Sequence, residues 1–404
     1  MPDNSREEST SPSLSAFRQK VADWLDDNYP RALSTRNHHA FVTDGGLAKA
    51  DKEFGIWLER VASTGWGVPT WPVEYGGAGL DDTHARIIEE EMARIGAFNP
   101  VRSYGQMMLA PTLMEFGSPE QKEKFIPPIA RGEARWCQGF SEPGAGSDLA
   151  SLKTKCVDMG DHWLVNGQKV WTSNAHHSDW CFCLARTDTS KKQGGISFLL
   201  IDMTSPGVKA RPIALISGAT HFCEVFFDDV KVPKENLVGE VNQGWTIAKR
   251  LLQFERDNLA AGRADAEPLL TLAKRHIARD ENGGLANGDL RARLVAHDIR
   301  EQVYSQTLRR VAEEAKAAEE TGAPRTSIVS VLKNLGAAVS QSRSELIMEI
   351  LGNDGLGWEG ELYAPDDLAH TRAWLHSRAF SIYGGTFEIQ NNITAKRILG
   401  LPDA

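Results

Sequence analysis

The sequence predicts an α+β chain, helical at both ends and β in the middle, and three observations predict it. Apolar residues recur at helical spacing up to about Ile129. Short β-branched and aromatic runs replace them between about Glu133 and Glu240. Helical spacing then returns from Gly244 onward. At 404 residues the chain exceeds what one simple core fills, so three lobes at 1–132, 133–240 and 241–404 are expected.

In the first segment Phe17, Val21 and Leu25 make one stripe, Phe54, Leu58 and Val61 a second, and Ile87, Ile88, Met92 and Ile95 a third. Residues three and four apart share a helix face, so each stripe marks a buried side. Ser118-Pro119-Glu120-Gln121 reads as a helix start with proline in its first turn. A Pro/Gly-rich loop from Gly65-Trp66 to Gly76-Gly77-Ala78-Gly79 interrupts this lobe. In the middle segment, Trp163-Leu164-Val165, then Asn166-Gly167, then Gln168 to Thr172 predicts a β-hairpin, because Asn-Gly suits a tight turn that needs positive φ. Trp180 to Ala185, Ile196 to Ile201 and Val225 to Val232 read as further strands. In the last segment, helices are expected over Trp245 to Gly262, Arg291 to Glu320, Thr326 to Leu351 and Phe387 to Leu399. Arg279 to Gly288 is a polar, Gly-rich loop, and no internal repeat or low-complexity segment interrupts the pattern.

A formal net charge of -9 argues against nucleic acid or an anionic membrane as partner. It leaves room for an anionic small substrate, because a local basic pocket overrides the global field. Met1 to Ser11 is polar and lacks the apolar stretch of a signal peptide, and no apolar run is long enough to span a bilayer. The five cysteines, Cys137, Cys156, Cys181, Cys183 and Cys223, are odd in number and lack metal-ligand spacing. Buried free thiols in a reducing, cytoplasmic setting are the expectation. His38-His39 and His176-His177 stand near no ligand pattern, so no metal is expected.

Residues 139–148 read Gly-Phe-Ser-Glu-Pro-Gly-Ala-Gly-Ser-Asp. A Gly-Ala-Gly-Ser loop can offer successive backbone N–H groups to an anion or a ring carbonyl, although taken alone it is more simply a tight turn between strands. In a strand, Trp171 and Ser173 project from one face and Thr172 from the other. A large aromatic with a hydroxyl two residues on could wall a planar ring and bond its polar edge. Trp171 could equally be simple core.

Over its full length the chain resembles the acyl-CoA dehydrogenase family. The likeness takes in Gly65-Trp66 with Pro72-Val73-Glu74-Tyr75-Gly76-Gly77, then Gly117-Ser118-Pro119-Glu120-Gln121-Lys122, then Ser141 to Asp148 and Trp171-Thr172-Ser173. It continues through Phe227-Asp228-Asp229-Val230-Lys231-Val232-Pro233 and Asn242-Gln243-Gly244-Trp245 to Tyr383-Gly384-Gly385-Thr386 and Glu388-Ile389-Gln390. The resemblance implies an N-terminal helical domain, a middle β-barrel or sandwich and a C-terminal four-helix bundle. It also implies bound FAD, and α,β-dehydrogenation of an acyl-CoA thioester in lipid catabolism, with hydride passing to flavin N5. By the same resemblance Gln138, Phe140, Ser141, Trp171, Thr172 and Ser173 line the flavin, and Thr386 and Glu388 reach its phosphate or adenine side. Ser147, Arg256 and Tyr383 fall to the substrate.

Abstracting an α-proton needs a carboxylate at the α-carbon and donors that polarise the thioester carbonyl. Many family members place that glutamate directly after the C-terminal tyrosine, where this chain has Gly384. A second location in the family is the helix opening the last lobe, here Leu251-Leu252-Gln253-Phe254-Glu255-Arg256. Glu255 follows Leu251 and Leu252 by four and three residues and precedes Leu259 by four, so it shares their face. A carboxylate there should have its pKa raised by desolvation. A structural ion pair with Arg256 is the plainer alternative. Gly384 keeps a backbone N–H which, by resemblance, helps hold the thioester oxygen. Phe387 stands where a small polar residue is usual, either narrowing the pocket or packing.

The Arg-x-x-Phe-Gly segment with which many members reach a neighbouring subunit's FAD is missing from Thr271 to Gly288. Lys274, Arg275 or Arg279 could substitute, although a solvated helix end explains them as well. Arg309 to Glu320 is mostly charge and alanine, a solvated face. The family implies an electron-transfer flavoprotein as electron acceptor and a homodimer, homotetramer or heterotetramer. Two other readings stay open: a flavin-sharing subunit of a heteromeric enzyme for bulky steroid side-chain or dicarboxylic thioesters, and an oxidase or monooxygenase on the same scaffold.

Overall fold

The computed structural model describes residues 13–34, 36, 38, 41, 45–260, 267–321 and 328–402, and the side chains of 256–260, 316, 319 and 320 lie outside that description. The described chain divides into two compact units, Met1–Ile213 with His221–Phe254, and Ala214–Thr220 with Glu255–Ala404.

The first unit opens with α1 (Leu14–Asn28), α2 (Gly45–Ala50), α3 (Lys52–Thr64), α4 (Asp82–Arg94), α5 (Ala110–Phe116) and α6 (Pro119–Ala130). The apolar stripes do what their spacing requires. Phe17, Val21, Leu25, Phe54, Val61, Ile87, Ile88 and Met92 are buried in one cluster with Trp57 and Trp66. Ser13, Asp51, Asp81 and Ser118 cap α1, α3, α4 and α6 with side-chain oxygens. At α6 the cap is reciprocal: the Gln121 N–H donates to Ser118 Oγ at 3.2 Å, and the Ser118 N–H donates to Gln121 Oε1 at 3.1 Å. Gln121 Nε2 also donates to the carbonyls of Glu235 and Leu237, at 2.7 and 2.8 Å. One side chain therefore closes a helix end and ties it to the sheet.

That sheet has β1 (Trp136–Gly139), β2 (Lys155–Asp158), β3 (His162–Ser173), β4 (Trp180–Arg186), β5 (Ile196–Asp202), β6 (Val208–Pro212), β7 (Phe222–Pro233) and β8 (Leu237–Val238). The order is β6-β7-β3-β2-β4-β5-β8, with β1 pairing β4 in parallel. One residue pair, Lys155 with Arg186, joins β2 to β4. The halves on either side of that seam contribute Val165, Val225 and Val232, and Cys181, Cys183 and Leu199, to a single buried cluster. The sheet therefore folds over itself as a sandwich. All five cysteines are buried and free, as their number and spacing suggested.

Asn166-Gly167 does not turn the chain, contrary to expectation. β3 runs unbroken through it, and the real hairpin reversal is at Met159-Gly160-Asp161, with Gly160 at φ 94°. The Asn166 amide instead works across the strands, donating to Asp229 Oδ1 and accepting from the Asp229 N–H, both at 2.9 Å. Asp229 sits at φ 50° where β7 carries one extra residue against β3. Gly167 is required because a Cβ there would stand 2.5–2.8 Å from Thr154 atoms. The Asn-Gly signal was real but marked a bulge.

A second cluster of the first unit joins Leu113, Phe125, Ile126 and Ile129 of α5 and α6 to Phe140, Phe182 and Phe198 of the β segment. It also takes in Ile247, Ala248 and Leu251 of α7 (Gly244–Ala260). The second unit contains α8 (Leu269–His276), α9 (Gly288–Thr321), α10 (Val329–Leu351), α11 (Pro365–Ser377) and α12 (Phe387–Ile393). α10 is its centre, contacting each of the other four. α11 escaped the periodicity argument because it buries Asp367, Thr371 and Ser377, polar residues where a stripe of aliphatics would be sought. None of the described helices is long and apolar enough to cross a membrane.

Removing the reciprocal cap with Ser118→Ala should lower stability by about 1 kcal/mol, read as a drop in the urea midpoint. An unchanged midpoint would show that the end of α6 is held by its packing alone.

Candidate functional site

The two segments around Ser141 and Trp171 do meet, through Phe140 and Ser141 together with Glu142, Lys169 and Val170, to which no role had been assigned. Ser141 accepts the Val170 N–H at its carbonyl, at 2.9 Å. On either side of that bond, Lys169 Nζ donates to the Phe140 carbonyl at 3.1 Å and to Glu142 Oε1 at 2.8 Å. Glu142 also accepts the N–H of Lys153 at 2.6 Å and that of Thr154 at 2.9 Å. Lys169 is 0% exposed and Glu142 8% exposed. Three consecutive residues of the loop are thus laced to two consecutive residues of β3. Burial pushes the Glu142 carboxyl up, but the Lys169 charge and the hydrogen bonds from Lys169 and residues 153 and 154 outweigh it. The net position is below the ordinary carboxylate range.

β3 then bulges. Lys169 pairs with Val225 and Thr172 with Cys223, so Val170 and Trp171 together face one residue of β7. Trp171 adopts φ 60°, the left-handed region, and is 56% exposed, while Thr172 is 0% exposed and Ser173 partly buried. Regular alternation would have put Trp171 on the same face as buried Lys169. The bulge turns the indole out and keeps the lysine in. Phe222 meets Trp171 edge-on, with ring centroids 6.2 Å apart. The Thr172 hydroxyl, next along the strand, is buried without a hydrogen-bond partner. On the other segment, Gln138 is partly buried on β1 and Phe140 lies in the core against Phe182 and Phe198. Ser147 is exposed on the loop, where Gly144 and Gly146 have open space at their Cβ positions.

The remaining candidates belong to the second unit. Glu255 is partly buried, one turn after fully buried Leu251 on α7. The side chains of Arg256 and Leu259 lie outside the described residues. Tyr383 is exposed, and Gly384 and Gly385 follow at φ 65° and 88°. Gln390 Nε2 donates to the Gly384 carbonyl at 2.7 Å and so fixes this double-glycine turn. Thr386 has a structural task, since its hydroxyl caps α12 by accepting the Ile389 N–H at 3.3 Å. Exposed Glu388 is held below the ordinary carboxylate range by its own backbone N–H, then by Thr386. Phe387 is partly buried and meets Lys333 Nζ 5.3 Å from its ring centre. Of the basic residues weighed as stand-ins for the missing arginine, Arg275 pairs with Glu267 at 2.7 Å, the solvated-end behaviour allowed for it.

Lys169 and Glu142 left a trace in the sequence, a lysine two residues before the tryptophan and an acid immediately after Ser141. Nothing in local periodicity says that residues 27 apart neutralise one another.

Three family models match in order: Acyl-CoA dehydrogenase, N-terminal domain, over residues 11–133, middle domain over 137–230, and C-terminal domain over 242–399. Acyl-CoA dehydrogenase IpdE1 of Mycobacterium tuberculosis is 39% identical over 402 residues, covering 96% of this chain and 97% of its own. Acyl-CoA dehydrogenase FadE34 of the same organism is 41% identical over 343 residues, covering 85% of this chain and 45% of its own. Among solved structures, the ChsE4-ChsE5 complex from Mycobacterium tuberculosis superposes with TM-score 0.73 at 27% identity, covering 99% of this chain and 100% of that one. The Tcur3481-Tcur3483 steroid ACAD superposes with TM-score 0.76 at 26% identity, covering 98% and 99%.

A depressed folded-state pKa contributes stability above the unfolded value and loses it as pH falls through the folded one. Glu142→Gln should therefore lower the urea midpoint near neutral pH, and the gap to the unsubstituted protein should narrow as pH falls below the unfolded glutamate value of about 4.3. A gap unchanged from neutral pH to well below about 4.3 would mean that the Glu142 charge contributes nothing.

Proposed function

This chain belongs to the acyl-CoA dehydrogenase family, oxidoreductases acting on CH–CH bonds, and we propose that it converts an acyl-CoA thioester to the trans-2-enoyl-CoA with FAD as cofactor. The observation that carries the reading is Trp171. A bulky residue in the left-handed region costs about 1–2 kcal/mol, and here the strain accompanies an indole left more than half exposed, beside a residue whose buried hydroxyl has no hydrogen-bond partner. A planar ring fits such a surface, and the open glycines of the neighbouring loop leave its polar edge approachable. FAD, when bound, supplies the hydride acceptor.

In this reading Gln138, Phe140, Ser141, Trp171, Thr172 and Ser173 orient the ring, with Thr386 and Glu388 toward the phosphate or adenine portion. Glu255 takes the α-proton. The Gly384 N–H polarises the thioester carbonyl, and the missing side chain at 384 leaves room for a bulky acyl group. Ser147, Arg256 and Tyr383 contact the substrate, and an electron-transfer flavoprotein takes the electrons. The three lobes are 1–132, 133–240 and 241–404. Assembly with an unlike partner chain is favoured because two structures similar to this chain carry paired names, ChsE4-ChsE5 and Tcur3481-Tcur3483, the latter called a steroid ACAD. The missing Arg-x-x-Phe-Gly segment points the same way.

Glu255→Gln should keep the yellow flavin and slow substrate-dependent bleaching by about 100- to 10,000-fold, measured with the partner chain present. Undiminished turnover would remove Glu255 from the role of base.

A further inference from the structure

We propose that Lys169 is a positioning residue for the flavin, acting on it through the peptide group that joins Phe140 to Ser141. The proposal rests on the flavin reading given above and extends it to a residue that does not itself face the ring. Lys169 lies wholly inside the first unit, on β3 two residues before Trp171, and its ammonium points back at the loop. Its donation to the Phe140 carbonyl oxygen, at 3.1 Å, falls on the amide whose N–H belongs to Ser141. A cation on an amide oxygen draws electron density from the nitrogen and makes its N–H the stronger donor, and in a dry interior that polarisation is little screened. Whatever the Ser141 N–H meets in the site therefore feels the lysine at one remove.

The arrangement is built for this and not merely for neutralisation. A buried ammonium needs a counter-charge, and Glu142 supplies it at 2.8 Å. Glu142 is in turn fixed by the N–H groups of Lys153 and Thr154, so the carboxylate cannot follow the lysine elsewhere. The Ser141 carbonyl is taken by Val170, so the loop cannot rotate to relieve the contact. Geometry thus leaves the ammonium between one carboxylate and one carbonyl. The carbonyl belongs to the only peptide group able to carry its influence to the Ser141 amide.

Lys169→Met alone would leave Glu142 buried without its counter-charge, so the paired variant Lys169→Met/Glu142→Gln carries the test, because it removes both charges at nearly constant volume. Each protein is purified, supplied with its partner chain and FAD, and compared for bound flavin, visible spectrum and midpoint potential. The paired variant should bind FAD about tenfold more weakly, the loss expected for weakening a single charge-assisted contact. Its midpoint potential should move to more negative values, because a weaker donor at the ring stabilises the electron-rich reduced form less. A merely structural role would lower thermal stability and leave the potential of the bound flavin unchanged, and that result overturns the proposal. Failure of the unsubstituted protein to take up FAD, with its partner present, would instead sink the flavin reading together with this extension.

Discussion

A single buried charge pair organises the surface on which the chemistry is proposed to occur. Lys169 and Glu142 come from segments with no local reason to meet, and taking both out of water costs several kcal/mol per ion before any return. The structure offsets that cost by satisfying both groups: the carboxylate accepts two backbone N–H groups besides the ammonium, and the ammonium adds a carbonyl. Such a pair adds little net stability over a hydrophobic isostere. What it gives is register. Slipping the loop by one residue against β3 would leave a lone charge in the core, so alternative pairings are excluded by amounts that packing alone would not supply.

The bulge that follows is the second half of the same device. Lys169 and Trp171 are two residues apart and would share a face in regular β structure, yet one must be wholly inside and the other open. An extra residue in β3 resolves the conflict, and its cost appears as the left-handed backbone at Trp171. The neighbouring irregularity, with the extra residue now on β7, settles Asn166 against Asp229. Both departures from ideal pairing lie within a few residues of the proposed ring surface, and strain of this kind tends to be kept at functional sites.

Much of the fold was legible in the sequence. Aliphatic and aromatic stripes located the buried faces of α1, α3 and α4, because a helix that buries one side must repeat every three to four residues. The strands from Trp180, Ile196 and Val225 announced themselves by their β-rich runs. Motifs spread over the whole length pointed to the family, which the matches to all three of its domains then established. What the sequence concealed was of one kind, namely features fixed by partners distant along the chain. Asn166-Gly167 carries the chemistry of a tight turn, and only the approach of Thr154 and Asp229 shows that the chain goes straight on. α11 buries polar residues that hydrogen-bond to distant backbone, as Thr371 does to Gly355, so no apolar period betrays it. The absence of a carboxylate at position 384 is by contrast a fact of the sequence itself, visible against the family pattern.

The cysteines give the sheet one more property. Cys137 on β1 lies in register with Cys181 on β4, Cys183 follows two residues later, and Cys156 and Cys223 sit in the same closed cluster. Burial raises the thiol pKa of Cys156 to about 12 and pushes Cys183 well up, so the reactive thiolate is suppressed as well as shielded. Alkylating or oxidising agents can reach this set only through an opening of the sandwich. The β lobe thus keeps its own clock, in which the rate of thiol modification counts the excursions of the scaffold away from its closed form.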